Sequence, residues 1–296
     1  MSDIYVLKDP VYNEYASKTN NFTLEWLKWF PYAKIAPKQH DIKKDDILII
    51  NLYDGNPYGQ YNIPTGCKKI FIVHKLSKDN IKYLSDATHI IFINKYQKQV
   101  ADIFGIKRPS TICPRHPLHN YSVSFNTDPY VYIGGWFFDD RHDGLLERIE
   151  ELHNTLPDHL EFIYFFIWGD LNSRKEKIDS FFTTIRESKA FKKRPNILIT
   201  DQIAYNTMLF RTRTAEYSYL WRNEPNIEES LDLIASKNES ILDTPIYESS
   251  MLSHFQSGHS KVIAEDKLCF APAHIEADNF TYKDFGNLIK EVTNSI

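Results

Sequence analysis

"DPYVYIGGWFFDDRHDGLLERIEEL", residues 128–152, decides how the chain is read. An apolar run reaches Gly134-Gly135 and gives way to a charged loop. A helix follows, whose Leu145, Leu146, Ile149, Leu152 and Leu156 form one apolar stripe. Two glycines let the backbone turn tightly or approach a ligand closely. A helix that starts beyond a strand aims its unpaired N–H groups outward, which suits an anion. Arg141 adds a planar fork of donors that matches a phosphate. Asp139, Asp140, Asp143 and Glu147 share the stretch; such carboxylates are more often hydrated than metal-bound, and no metal is assigned. The pattern is not GxGxxG, because Trp136 follows Gly135 and the next glycine is Gly144. The competing reading is an ordinary strand-to-helix turn with a solvated loop.

Outward from this stretch the same alternation recurs. Upstream, Ile4–Leu7, Asp45–Gly55, Lys68–Lys75, Ala87–Lys95 and Ser110–Pro117 read as strands. Between them lie helical patterns: Phe22–Phe30, with Leu24, Trp26, Leu27 and Phe30 at helical spacing, a short helix capped by Ser77, and one closed by Gly105. Downstream, strands are expected at Leu160–Trp168, NILIT, AEYSYLW, TPIYES and KVIAED, with helices between them and a last one over FTYKDFGNLIKEV. Continuous apolar strands alternating with helices imply parallel sheets covered on both faces. Residues 118–129 are polar and turn-rich and read as a linker. The expected fold class is therefore α/β, with two Rossmann-like, doubly wound domains facing across a cleft. Residues 1–120 form the first Rossmann-like domain, 121–278 the second, and 279–296 a terminal helix that can pack back on the first. Ligands of such sheets bind at the carboxyl ends of the strands, so the loops after strands hold the site.

Composition narrows the function classes. A chain of 296 residues with 42% hydrophobic residues can build a real core, which excludes disorder. A net charge of -4 weighs against an extended duplex-binding footprint. Cys67, Cys113 and Cys269 form no CxxC pair, so zinc-knuckle and dithiol readings fail. The first residues, MSDIYVLKDP, lack a basic start and a long apolar core, and no apolar run nears the ~20 residues of a membrane span. A cytoplasmic protein is expected.

Further loops carry candidates. Gly169 and Asp170 follow the apolar run Leu160–Trp168. Arg222, Asn223, Glu224 and Pro225 follow AEYSYLW, and a helix opens near Asn226. In the first half, Asp54 and His74 end apolar strands and are the candidate bases; their competing readings are an Asp-Gly turn residue and a structural histidine. His116, between prolines, reads as part of a rigid hinge, and His254 and His259 flank a turn. QSGHS has Gln256 where a serine-hydrolase elbow has glycine.

In order and spacing, YIGGWFFDDRHDG, FIYFFIWGD, NILITDQI, AEYSYLWRNEPN and NESILDTPIY resemble the donor-binding half of the GT-B glycosyltransferases. IFIVHKLS, THIIFINK and TICPRHPLHN are similar to the closing strands of the acceptor half. The resemblance implies transfer of a sugar from a nucleotide-diphosphate sugar, often UDP-linked, to an acceptor hydroxyl. That donor is a co-substrate; no cofactor and no metal are implied. The donor residues would be Gly134, Gly135, Arg141, Gly169, Arg222, Asn226 and Glu239, with Asn238 the alternative to Glu239 for the ribose. The family's paired acidic positions are not clean here, and Asp143 stands where a basic residue is usual. The GG-x-F texture is also similar to bacteriophage enzymes that glucosylate modified DNA bases. Rival functions are therefore such a DNA-base transferase, or a sugar-nucleotide-binding protein without catalysis. The acceptor stays open among glycans, lipid-linked sugars, small molecules and DNA.

Overall fold

The computed structural model describes residues 2–7, 18–37, 41–53, 55–59, 61–120, 127–136, 151–167, 183, 186–187, 197–200, 205–220, 257, 261–264 and 279–296. The chain divides into two compact units: Met1–Asn120 with Ile227–Ser250 and Ala273–Ile296, and Tyr121–Asn226 with Met251–Pro272. Each unit is built on one parallel sheet, the α/β architecture that the alternating pattern predicts.

The first sheet contains β1 (Ile4–Val6), β2 (Ala33–Ile35), β3 (Ile47–Leu52), β4 (Lys68–Val73), β5 (His89–Phe92) and β6 (Ser110–Ile112), in the order β2-β1-β3-β4-β5-β6. The second contains β7 (Asp128–Trp136), β8 (Glu161–Ile167), β9 (Ile197–Thr200), β10 (Ala215–Leu220) and β11 (Lys261–Ala264), in the order β11-β10-β7-β8-β9. The described helices are α1 (Lys18–Leu27), α2 (Lys95–Ile103), α3 (Tyr205–Thr214), α4 (Tyr282–Ser295) and a 3-10 helix over Ile81–Asp86. The strand TPIYES, the helices expected after β7 and β8, and the helix near Asn226 fall wholly or mostly outside the described residues.

The period of two along the strands sorts the first core into two layers. Leu48, Ile50, Leu52, Phe71 and Val73 pack with Ile81, Leu84 and Ala101 of the 3-10 helix and α2. Ile47, Ile49, Ile70, Ile72 and Ile91 pack on the opposite face with Phe22 and Trp26 of α1 and Tyr282, Phe285 and Ile289 of α4. The terminal helix is thus part of the first unit. A reciprocal capping box between Thr281 and Asp284 starts it, and backbone bonds between Leu118 and both Phe280 and Tyr282 tie it to the segment after β6.

Two local expectations need correction, and one strand was not expected. The buried stripe of α1 is Phe22 and Trp26; Leu24 is 49% exposed, and Phe30 lies beyond the helix end although it is buried. Ser77 does not cap the short helix. Asn80 precedes it instead, accepting from the Ser77 N–H at 2.8 Å and donating to the Tyr53 and Lys75 carbonyls. β2, three residues long at the sheet edge, had no counterpart in the sequence pattern. Gly105 does follow α2 in the left-handed region, at φ +74°.

Candidate active site

Each strand order reverses direction at one place. In the first sheet the chain runs from β1 to β2 on one side, then returns to β3 on the other. In the second it runs β7, β8, β9 outward and then crosses back to β10 on the far side of β7. Loops leaving neighbouring strands in opposite directions open a crevice at the carboxyl edge, where ligands of parallel sheets bind. The two such points lie between β1 and β3 and between β7 and β10.

In the first unit, His74 directly follows β4, on the α1 face of the sheet. Its backbone N–H donates to the Leu52 carbonyl at 2.8 Å, and its Nε2 lies 2.9 Å from Asn51 Oδ1. Asn51 Nδ2 donates to Thr23 Oγ1 at 3.0 Å. The Phe22 ring meets the His74 ring edge-on, with centroids 4.7 Å apart. Phe22 sits there because α1 folds back over the strands with Phe22 and Trp26 inward. His74 is half-buried.

Beyond β6 the same edge carries Arg115, His116 and His119, all buried. Burial lowers the Arg115 pKa to about 10. His116, in the segment read as a rigid hinge, is buried: its ring packs against Phe22 and Tyr282, and its Nδ1 is 3.3 Å from the Pro117 carbonyl oxygen. His119 Nδ1 lies 3.7 Å from Glu25 Oε2, whose other partner is Lys28 at 2.8 Å. Burial works against the Glu25 charge, but His119 and Lys28 outweigh it and bring its pKa down to about 2. Asn51, Thr23 and Arg115 went unnoticed in the sequence. The available signals were one polar residue in the apolar run ILIINL and one arginine between two prolines.

In the second unit, Gly134 and Gly135 lie inside β7, paired with Phe165 and Phe166 of β8. Asp54, Arg141, Gly169, Arg222, Asn226 and Glu239, with His254 and His259, lie outside the described residues. Chain order still attaches most of them to known strand ends. Asp54 follows β3, Gly169 follows β8, Arg141 follows β7, and Arg222 and Asn226 follow β10. Tyr219 of β10 pairs with Ile133 of β7, so the two strands that precede Arg141 and Arg222 in the sequence are neighbours at the second reversal point.

A cavity of about 640 Å³ lies at the amino ends of the first sheet's strands, lined by Tyr58, Gly66, Lys69, Asp86 and Arg108 among others. Its polar groups pair with one another: Lys69 sits 5.2 Å from the Tyr58 ring centroid and 3.7 Å from Asp86, which accepts from the Tyr58 hydroxyl. It is at the edge opposite His74. Among the described residues no cluster of histidine, cysteine or carboxylate side chains could hold a metal ion, and no helix is long and apolar enough to cross a membrane.

Two units, each built on a parallel α/β sheet, match the GT-B fold, and solved structures are similar to the chain. An alpha-glucosyltransferase in complex with UDP-glucose and DNA containing an abasic site is similar over 99% of this chain and 98% of its own, at a TM-score of 0.50 and 14% identity. S. aureus TarM, solved as a mutant with UDP, matches 85% of this chain at 13% identity and a TM-score of 0.47. The pneumococcal O-GlcNAc transferase GtfA, in complex with UDP and GlcNAc, matches 78% at 11% identity and 0.47. The chain spans about half the length of those last two, 49% and 53%. No family model and no curated protein matches the sequence.

Proposed function

We propose that the protein is a glycosyltransferase that moves a sugar from a nucleotide-diphosphate sugar to an acceptor hydroxyl without a metal ion. The observation that carries the reading is the reversal point of the second sheet. β7, which holds Gly134-Gly135, lies beside β10 at that point, and Arg141 and Arg222 follow these two strands in the sequence. The leaving diphosphate gains charge as the sugar departs. Fixed N–H dipoles and a guanidinium stabilise that charge without a cation. Glycines at Gly134, Gly135 and Gly169 admit the donor close to the backbone, and Glu239 holds the ribose hydroxyls. The acceptor proton goes to His74 or Asp54 of the first unit, and the defined partners of His74 favour it.

Thermal unfolding in the presence of nucleoside diphosphates and their sugars tests this reading. A ligand at a hundred times its Kd stabilises the folded state by about 2.7 kcal/mol, enough to raise the Tm measurably. Arg141→Ala abolishes the shift, and EDTA leaves it intact. No shift with any nucleotide refutes the proposal, and a shift that EDTA removes refutes metal independence. A hydroxyl on a modified DNA base is the second acceptor class, supported by the near end-to-end match to a glucosyltransferase solved with UDP-glucose and DNA. The net charge of -4 weighs against it, and DNA binding that weakens steeply with salt would favour it.

A further inference from the structure

We propose that the cavity at the amino ends of the first sheet is a binding site for a sugar phosphate, separate from the transfer site. β3 and β4 are parallel, so between Leu52 and Lys68 the chain must return from the carboxyl edge to the amino edge. Such a crossover is usually a helix packed on the sheet. Here the described residues of the crossing form turns and no helix, with Gly55, Gly59 and Gly66 in the left-handed region at φ +67°, +56° and +93°. Turns cover a sheet less fully than a helix does, and a hollow of about 640 Å³ remains between the crossing and the starts of the neighbouring strands. That volume falls in the range of about 300–1,000 Å³ typical of small-molecule sites.

The charges around the hollow are unbalanced. The Lys69 side chain is only 13% exposed, yet its ammonium has no hydrogen-bond acceptor among the described residues: Asp86 Oδ2 is 3.7 Å away, and the other neighbour is the Tyr58 ring. Arg108 donates to the Ser85 carbonyl and meets no carboxylate among the described residues, so the rest of its donor fork is uncommitted. Lys44 lies against the same wall, its Cε 3.2 Å from where a Cβ on Gly66 would stand. Asp86 is the one carboxylate among the described lining residues, and it accepts from the Tyr58 hydroxyl at 3.3 Å. Three cations against one carboxylate leave two positive charges in excess, which a phosphate monoester, at about −1.5 to −2 near pH 7, neutralises. A largely buried ammonium without an acceptor is costly, and phosphate oxygens serve it and the Arg108 fork together. A phosphate alone does not fill the hollow. Ile63 and Pro64 give it a short apolar wall beside Asn56 and Thr65, which suits a hydroxylated ring with one CH face. Asn56 Oδ1 accepts from the Tyr58 N–H at 3.0 Å, which leaves its NH2 for a hydroxyl.

Isothermal titration calorimetry of the full-length protein with fructose 6-phosphate, fructose and inorganic phosphate is the test. The sugar phosphate should bind at one site, inorganic phosphate more weakly, and fructose not at all. Arg108→Gln, at an exposed position, should weaken the sugar phosphate about tenfold or more, and Lys69→Met should do the same. His74→Gln, at the opposite edge of the sheet, should leave its affinity unchanged. Equal affinity for inorganic phosphate and the sugar phosphate means an adventitious ion only and overturns the proposal. So does no binding of the sugar phosphate, binding that Arg108→Gln leaves intact, or binding that His74→Gln removes. The site needs neither donor nor base, so failure of nucleoside diphosphates to bind overturns the transferase reading and leaves this titration to decide the cavity by itself.

Discussion

Gly286→Ala should destabilise the protein, although it replaces the poorest non-proline helix former with the best. The residue lies in the second turn of α4, where alanine alone would gain up to about 1 kcal/mol in helix propensity. The neighbours reverse the sign. A Cβ on Gly286 would come within 2.8 Å of the Trp29 Cβ and 3.2 Å of the Trp26 carbonyl oxygen. Ordinary carbon contacts sit near 3.5–4.0 Å. Both opposing atoms belong to the backbone or its first side-chain carbon, so no rotamer change relieves the overlap; α4 must move away from α1. That movement loosens the Phe285 ring from Phe22, 5.0 Å away, and from Trp26, 6.3 Å away, in the centre of the core. Overpacking of this kind costs about 1–3 kcal/mol, and rigid opposing atoms put it at the upper end. The net expectation is a loss of about 1–2 kcal/mol. Urea denaturation followed by tryptophan fluorescence reports it, because Trp26 is fully buried at this contact. Asn287→Ala, at an exposed position of the same helix, is the control and should gain a few tenths of a kcal/mol from propensity alone. If Gly286→Ala raises the midpoint as much as the control, the close approach of the two helices is wrong.

Phe285→Ala should cost about 3–5 kcal/mol in the same assay, since the ring is fully buried among Phe22, Trp26 and Phe280. Glu25 should make stability depend on acid. Its folded pKa of about 2 lies below the ordinary 4.5, so its contribution is complete above the ordinary value and is lost as pH falls toward about 2. Glu25→Gln should flatten the change in denaturation midpoint between about pH 6 and about pH 3, and an unaltered slope would remove the His119 and Lys28 contacts from the account. Cys67 and Cys113 are buried with thiol pKa values pushed up by burial, so in Cys269→Ser they should resist thiol reagents until the chain unfolds. Rapid labelling of the folded protein would refute that.

What could be read from the chain alone divides along the range of the interactions involved. The parallel α/β architecture was legible because the continuous apolar runs in ILIINL and KKIFIV, and the stripes of the helices between such strands, are local patterns that burial on two faces enforces. The start of the 3-10 helix was not, because neither Ser77 nor Asn80 caps it with a side chain: the Asn80 amide is drawn instead to the Ser77 N–H, the Lys75 carbonyl and the Tyr53 carbonyl, 27 residues away. Asn51 was visible as an odd polar residue, but its partners lie 23 and 28 residues away, and only the register of β3 against β4 and the docking of α1 bring them together.

Gly134 and Gly135 show the same limit from the other side. Glycine pairs are read as punctuation, and here the strand continues through both to Trp136. Because successive strand residues face opposite sides of a sheet, two consecutive glycines strip both faces of side chains at one level. That level lies near the carboxyl end of β7, the strand beside which the second sheet reverses its order. A bare patch of backbone placed there suits the close approach of a ligand better than a turn, which would have required leaving the sheet. Of the two readings of the pair, a tight turn and a close approach to a ligand, the register removes the first, because the strand runs on through both glycines.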